Sequence, residues 1–510
     1  MPISSENPSS GKEVQIWPHF RRILTQSLLY GMGNVATGLL HLAVIVILTR
    51  YLTREGYGTY ENAFVWFVLL SEILTLGFGS SLFRYYNLYK HEEQRRRAVS
   101  TAFIFVVFVC LAANLLIYFL SENISSFLYG NTAYSDFFVY ASLAAGLIVP
   151  ARLAQVYIRI MERPVFFALV ILLRVTAILA GMYVLVIRMD MAARGAVLSL
   201  LFANFVFAMV LIPWLVSHFR LSFSCHVLKG MLSFGIPYIP AGICMWALSL
   251  SDRYFITYFD SLEAVGLYSV AYRLGMAMAL ILAGFQLAWP QFAYSLEHAD
   301  EGDAVYSRIL TYLFVTMMSI GLVFSLFREE LISLVATEAY LQAAYIIPFV
   351  AFAYAFEGIF TVTSLGAVFN HRTAYVAWST LFAAVTNVVL NILLIPLFGI
   401  GGAAGATTVS YVVLALLMVR FSRRFRDVPY EWSRIIKVAS VALVLIAASF
   451  QLHRLVGPEM KPYRILGNFS LLLLFFPLLH LLHFFKSGEI RRVRELVARK
   501  VRGRPERGGG

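Results

Sequence analysis

Six ionisable residues stand inside long apolar stretches of this chain: His41, Glu72, Arg152, Arg174, Arg273 and Glu357. A charge at bilayer depth costs roughly 2.5–3.5 kcal/mol on insertion scales, so such side chains face a partner or a polar cavity. An arginine there is a planar, permanently charged donor that grips a phosphate or carboxylate with two parallel hydrogen bonds. A desolvated glutamate can take up a proton or bind Na+. Arg174 and Arg273 are thus the first candidates for anion binding, with a structural ion pair as the even alternative. Arg152, nearer a span end, also suits snorkelling toward headgroups. Glu72 and Glu357 are the candidates for coupling to H+ or Na+, and Glu72 is close enough in depth to His41 to pair with it. Asp252 and Arg253, adjacent at a span end, read first as a helix-end contact and second as coupling and substrate groups. Cys110, Cys225 and Cys244 have neither disulfide nor metal-site spacing, and no cofactor is expected.

The elements that position these residues are set by hydropathy. Over 510 residues, 60% are hydrophobic, 14% are charged and the mean hydropathy is +0.75, which excludes an ordinary soluble domain. A bilayer core of roughly 30 Å takes about 20 apolar residues per helix. Fourteen stretches qualify: 27–49, 60–83, 98–120, 136–158, 165–187, 194–215, 230–251, 264–289, 307–327, 343–369, 375–397, 402–422, 434–455 and 463–485. The expectation is an all-α integral membrane fold. Residues 1–26 are polar, contain Pro2, Pro8 and Pro18, and show no small-residue cleavage site, so they read as an uncleaved cytoplasmic segment.

Lys and Arg concentrate on the cytoplasmic side of membrane proteins. With the N-terminus inside, 30 of the 41 fall there and 9 outside, which places both termini in the cytoplasm. The net charge of +13 is not a nucleic-acid footprint, because the basic residues border the spans and suit anionic lipid headgroups. Between Glu489 and Gly503, Ile490, Val493, Val497 and Val501 recur at helical spacing among arginines. That tail reads as an amphipathic surface helix or a solvated basic segment.

An internal repeat organises the chain. Gly58-Thr59-Tyr60 returns as Gly266-Leu267-Tyr268 at an offset of 208, and Gly77-Phe78 as Gly284-Phe285 at 207. Gly195-Ala196 returns as Gly402-Ala403 at 207. Six spans per copy keep the copies in one orientation, so two lobes would flank a central cleft about an axis along the membrane normal. The implied divisions are an N-lobe at 27–220, a C-lobe at 221–425, an extra helix pair at 426–485 and a basic tail at 486–510. The charged residues inside the spans are not duplicated, which favours recognition or ion coupling over symmetric packing. Asn387 and Asn391, one helical turn apart, are expected to bond to a neighbouring helix.

Three blocks carry a family resemblance. Tyr30-Gly31-Met32-Gly33-Asn34 leads to Leu48-Thr49-Arg50-Tyr51-Leu52 and Glu55-Gly56-Tyr57-Gly58-Thr59-Tyr60. Phe234-Gly235-Ile236-Pro237 leads to Leu250-Ser251-Asp252-Arg253-Tyr254 and Val265-Gly266-Leu267-Tyr268. Asn387 and Asn391 lead to Ile395-Pro396 and Gly399-Ile400-Gly401-Gly402-Ala403-Ala404. Together these resemble the polysaccharide transporters, the O-antigen and teichoic-acid exporters of the multidrug/oligosaccharidyl-lipid/polysaccharide flippase superfamily. The resemblance implies a non-enzymatic flippase for undecaprenyl-type lipid-linked oligosaccharides, working beside polysaccharide polymerases and glycosyltransferases. Its pyrophosphate would be the anion for Arg174 and Arg273. A multidrug/cation antiporter would favour an acidic cleft, and the spans carry three Arg against two Glu. A polymerase or glycosyltransferase would need catalytic residues in sizeable outer loops, and these loops are short.

Overall fold

The computed structural model describes residues 37–219, 221–295, 302–370, 372–486 and 488–489. Residues 1–26, the start of the first span and the tail beyond Glu489 lie outside them. Among the described residues, ten helices are long and apolar enough to cross a membrane, and twelve if two bent pairs each count as one crossing. The fold is an all-α, multi-pass membrane fold whose helices gather into two lobes.

In chain order the first run of helices holds α1 (Thr37–Tyr51), α2 (Arg54–Thr75), α3 (Phe78–Leu88), α4 (Glu92–Tyr129), α5 (Ser135–Ile160), α6 (Pro164–Met182) and α7 (Ala192–Val216). A π-helical turn, Tyr183–Arg188, extends α6. The second holds α8 (Cys225–Gly235), α9 (Tyr238–Leu250), α10 (Asp252–Phe259), α11 (Leu262–Gly275), α12 (Met278–Ser295), α13 (Gly302–Leu326), the short α14 (Arg328–Val335), α15 (Ile346–Phe369) and α16 (Ala374–Ser422). Two more, α17 (Trp432–Leu455) and α18 (Lys461–Leu481), pack on each other and on α13.

The interior is apolar, as in a soluble bundle, but so is much of the outer surface. Helix α4 buries Phe103, Val106 and Cys110 but presents Phe108, Leu111, Leu115 and Phe119 outward at helical spacing. Such a face is at rest only against lipid tails. Helix α16 reverses direction at Gly399, whose φ of +55° suits glycine. Its arms run back along each other, with the Tyr375 and Phe421 rings 5.1 Å apart and Ser379 beside Met418.

The repeat is visible as geometry. Thr53 and Ser261, 208 residues apart, both cap a helix by accepting a backbone hydrogen bond, from Gly56 and from Ala264. Gly58 and Gly266 lie against each other: a Cβ on Gly58 would overlap the Leu262 carbonyl, and one on Gly266 the Arg54 carbonyl. The second pair of anchors diverges. The chain breaks at Leu76-Gly77, and Gly77 rests on the Gly235 carbonyl, whereas open space surrounds Gly284. The corresponding bend in the second lobe comes earlier, 43° between α11 and α12, while α8 and α9 bend by 41° around Pro237.

Candidate functional site

Helix α2 is the wall shared by the lobes: it packs on α5 and α7 on one side and on α9 and α11 on the other. Gly58 lets α11 approach to backbone contact, and three residues later Glu61 meets Arg273 of α11 at 2.5 Å. Both side chains are buried, and the Arg273 guanidinium sits 5.3 Å from the Phe64 ring centre. Below the pair, Asn62 donates to Thr257 at 2.6 Å, Tyr254 to the Asn62 carbonyl and Trp246 to the Val65 carbonyl. At the Gly58 end Arg54 pairs with Glu263 at 2.6 Å. The seam is thus stitched by polar contacts at the end where α2 begins, called here the Gly130 end after the α4–α5 loop on that face.

Deeper along α2 the environment opens. Glu72 takes a 3.4 Å contact from Arg152 of α5, and these side chains remain 44% and 35% exposed, in contrast to the sealed Glu61–Arg273 pair. Across the seam, Glu72 lies beside Gly242 of α9. Arg174 of α6 donates to Asn204 of α7 at 2.9 Å and has Arg152 as a like-charged neighbour. His41 of α1 has Arg273 and Arg174 as its electrostatic neighbours. His41, Arg152 and Arg174 are thus electrostatic neighbours from three helices, with Glu72 as the carboxylate there, and His41 also neighbours Arg273, which Glu61 already pairs. A group of that composition can hold an anion with charge-assisted bonds from several directions.

The expected pairing of Glu72 with His41 is replaced by Glu72 with Arg152. The partner of Arg273 was missed. Glu61 is the second residue of the expected span 60–83 and is not among the candidates named from the sequence, although Gly58 three residues earlier and Gly266 seven residues before Arg273 mark the meeting point.

The other candidates lie in the second lobe. Asp252 and Arg253 pair at 2.6 Å, both about 2% exposed, with Tyr268 donating to Asp252 and the Tyr272 ring 4.0 Å from the Arg253 guanidinium. They satisfy each other rather than open space. Glu357 of α15 neighbours Tyr354 and Tyr411, and no ion pair involves it among the described residues. Asn391 donates to Asn387 at 2.9 Å within one helix, not to a neighbouring helix as expected. No cluster of three or more His, Cys, Asp or Glu side chains with metal-site geometry occurs among the described residues.

Ionic clusters anchor the α17–α18 pair at both ends. Glu329 of α14 bridges His453 of α17 at 2.9 Å and Arg464 of α18 at 3.1 Å. The hydrogen bond from His453, aided by the charges of Arg464 and Arg328, holds the Glu329 carboxyl below the usual carboxylate range. At the opposite end Arg434 joins Glu431 and Glu489, each at 2.8 Å, and Lys486 also reaches Glu431.

A family model described as "Polysaccharide biosynthesis protein" matches residues 47–345, more than half of the chain. The probable low-salt glycan biosynthesis flippase Agl15 of Haloferax volcanii is 24% identical over 329 residues, 63% of this chain and 68% of that one. The uncharacterized membrane protein MJ1068 of Methanocaldococcus jannaschii is 25% identical over 239 residues, 44% and 46% of the two chains. The fold is shared with the lipid II flippase MurJ in an inward closed conformation, at a TM-score of 0.66 and 15% identity over 87% of this chain and 97% of that one. It is shared also with an inward-facing multidrug resistance MATE family transporter of the MOP superfamily, at 0.65 and 15% over 76% and 93%. The chain belongs to the polysaccharide biosynthesis protein family, and its multi-pass fold is the one seen in MurJ and in the MATE transporters.

Proposed function

We propose that this transporter moves an oligosaccharide linked to an undecaprenyl-pyrophosphate-type lipid across the cytoplasmic membrane, for cell-surface polysaccharide synthesis. The observation that carries the reading is the neighbourhood of Arg152, Arg174 and His41, from three helices, around the half-exposed Glu72. The pyrophosphate would displace weak protein contacts there: the 3.4 Å Arg152–Glu72 contact is long for a charged hydrogen bond. Alternating access follows if the seam at the Gly130 end parts while the other end of the cleft closes. Adding α1 and counting the two arms of α16 separately supports fourteen crossings, with lobes at 27–220 and 221–425, the added pair at 426–485 and a cytoplasmic tail from 486. The Lys and Arg bias, heaviest at Arg95-Arg96-Arg97, at Arg423-Arg424-Arg426 and in the tail, supports a cytoplasmic location for both ends. Glu72, Glu357, Asp252 and His41 remain our candidates for proton or Na+ coupling and Arg253 a candidate for substrate binding, and glycosyltransferases and a polymerase are the expected pathway partners.

The test is reconstitution of the full chain in vesicles with a fluorescent undecaprenyl-pyrophosphate oligosaccharide, following its exposure to a membrane-impermeant quencher. Wild-type protein is expected to accelerate exchange between leaflets, and Arg152→Ala and Arg174→Ala to slow it by about tenfold or more, the loss of at least one charge-assisted contact. Exchange no faster than in protein-free vesicles overturns the reading. Extrusion of an organic cation instead would favour a multidrug antiporter.

A further inference from the structure

A cleft of about 380 Å³ opens on the seam at the Gly130 end, away from the basic group beside Glu72. Its size falls in the roughly 300–1,000 Å³ range of small-molecule sites. One wall is the end of α4 and the α4–α5 loop, with Phe127, Tyr129, Asn131 and Tyr134; the other is the end of α10, with Thr257 and Tyr258. No residue lining it is charged. A phosphate would find no cation there, and an acyl chain would meet tyrosine hydroxyls, an amide and a threonine.

The lining is half ring and half hydroxyl. Tyr129 and Tyr134 lie with ring centres 4.7 Å apart. Phe127 and Tyr258 are 82% and 71% exposed, and Tyr258 meets the Phe259 ring edge-on at 5.0 Å. An aromatic face is electron-rich. The polarised C–H bonds on one face of a pyranose pack against such a ring, while the sugar hydroxyls exchange hydrogen bonds with phenol, amide and threonine groups. The walls are fixed rather than floppy. Tyr134 donates to Glu55 at 3.1 Å and Thr257 accepts from Asn62 at 2.6 Å, so both walls are tied to α2. Asn131 shapes its loop by accepting from the Ala133 N–H at 3.0 Å.

We propose that this cleft is a subsite for neutral sugar units of the transported oligosaccharide, distinct from the arginines that take its pyrophosphate. The inference rests on the flippase reading. It adds that the protein grips the glycan as well as the carrier, and does so where the lobes meet. Because its walls belong to different lobes, a sugar that bridges them is held only while the seam stays shut, so parting of the lobes dismantles the subsite and frees the glycan.

The experiment uses the full chain in lipid nanodiscs and three soluble neutral probes: chitotetraose, maltotetraose and mannotetraose. Saturation-transfer NMR reads contact with their ring protons. At least one probe is expected to show transfer in the wild type, weakened by about tenfold in Phe127→Ala/Tyr258→Ala and retained in Phe127→Tyr/Tyr258→Phe, because ring contact is what is lost. Absence of transfer for all three probes, or equal transfer in wild type and alanine variant, overturns the subsite. Intact sugar contact with a changed membrane insertion of the alanine variant assigns the rings to the interfacial aromatic belt and also overturns it. Leaflet exchange of the lipid-linked substrate is measured on the same preparations. Its absence in the wild type sinks the flippase reading, whereas exchange without ring-dependent sugar contact sinks only the subsite.

Discussion

Glu61 and Arg273, on different lobes, form an ion pair 2.5 Å long in which neither side chain is more than 6% exposed. Removing one member of a buried pair strands the other charge and costs about 3–5 kcal/mol, whereas replacing both with apolar groups is often neutral. Glu61→Gln and Arg273→Met are each expected to lower the thermal unfolding midpoint in detergent sharply. Glu61→Leu combined with Arg273→Met should recover most of the loss. Additive losses in the double variant would mean that the two residues do not act as a pair.

At the same seam, Gly58→Val places a side chain on the Leu262 carbonyl. The lobes must separate there or α2 must shift. With Cys110, Cys225 and Cys244 replaced by alanine and Thr257→Cys as reporter, thiol labelling is expected to rise several-fold on adding Gly58→Val. An unchanged labelling rate would place the flexible contact elsewhere.

Cys225 is exposed and Cys110 buried. Since Cys225 begins α8 on the face proposed to be cytoplasmic, a membrane-impermeant maleimide should leave it untouched in intact cells and label it in inverted vesicles. Labelling in intact cells would reverse the orientation. Cys110 should react only after denaturation, packed among Phe103, Val106 and their neighbours.

The depressed Glu329 carboxyl gives a pH dependence whose sign is fixed. A group with a lower folded than unfolded pKa contributes stability above its unfolded value, about 4.3 for glutamate, and loses it as pH falls through the folded value. The docking of α17–α18 on α13 should thus be steady from neutrality to about pH 5 and weaken in stronger acid. The gap in unfolding midpoint between wild type and Glu329→Gln should be constant above that pH and close below it. A gap that persists in strong acid would mean that the carboxylate charge is not what anchors the pair.

Helix existence and family were legible in the sequence because apolar length and glycine placement act locally. The spans 136–158 and 194–215 match α5 and α7 within two residues at each end. The Thr53/Ser261 caps and the Gly58/Gly266 pair had left a readable repeat. Partner choice was less legible, since which charge meets which depends on helix rotation and crossing. Glu72 turned to Arg152 rather than His41, and Glu61 became visible only when α11 was brought against α2. The 43° bend between α11 and α12 has no proline at Met276-Ala277 to announce it. Gly275, pressed against Val350 of α15, sits beside that bend, so the cause is tertiary rather than local.

Gly58 and Gly266 hold the same position in the two repeats and also touch. Equivalent points that meet must sit on, or beside, the rotation axis relating their halves. The seam is therefore the self-complementary contact that two separate copies of one half-length chain would make. A residue added at Gly58 alone breaks a contact that an ancestral homodimer would have had to change twice at once. In a single chain the surroundings of that axis are free to differ, and there one side offers Glu61 and the other Arg273.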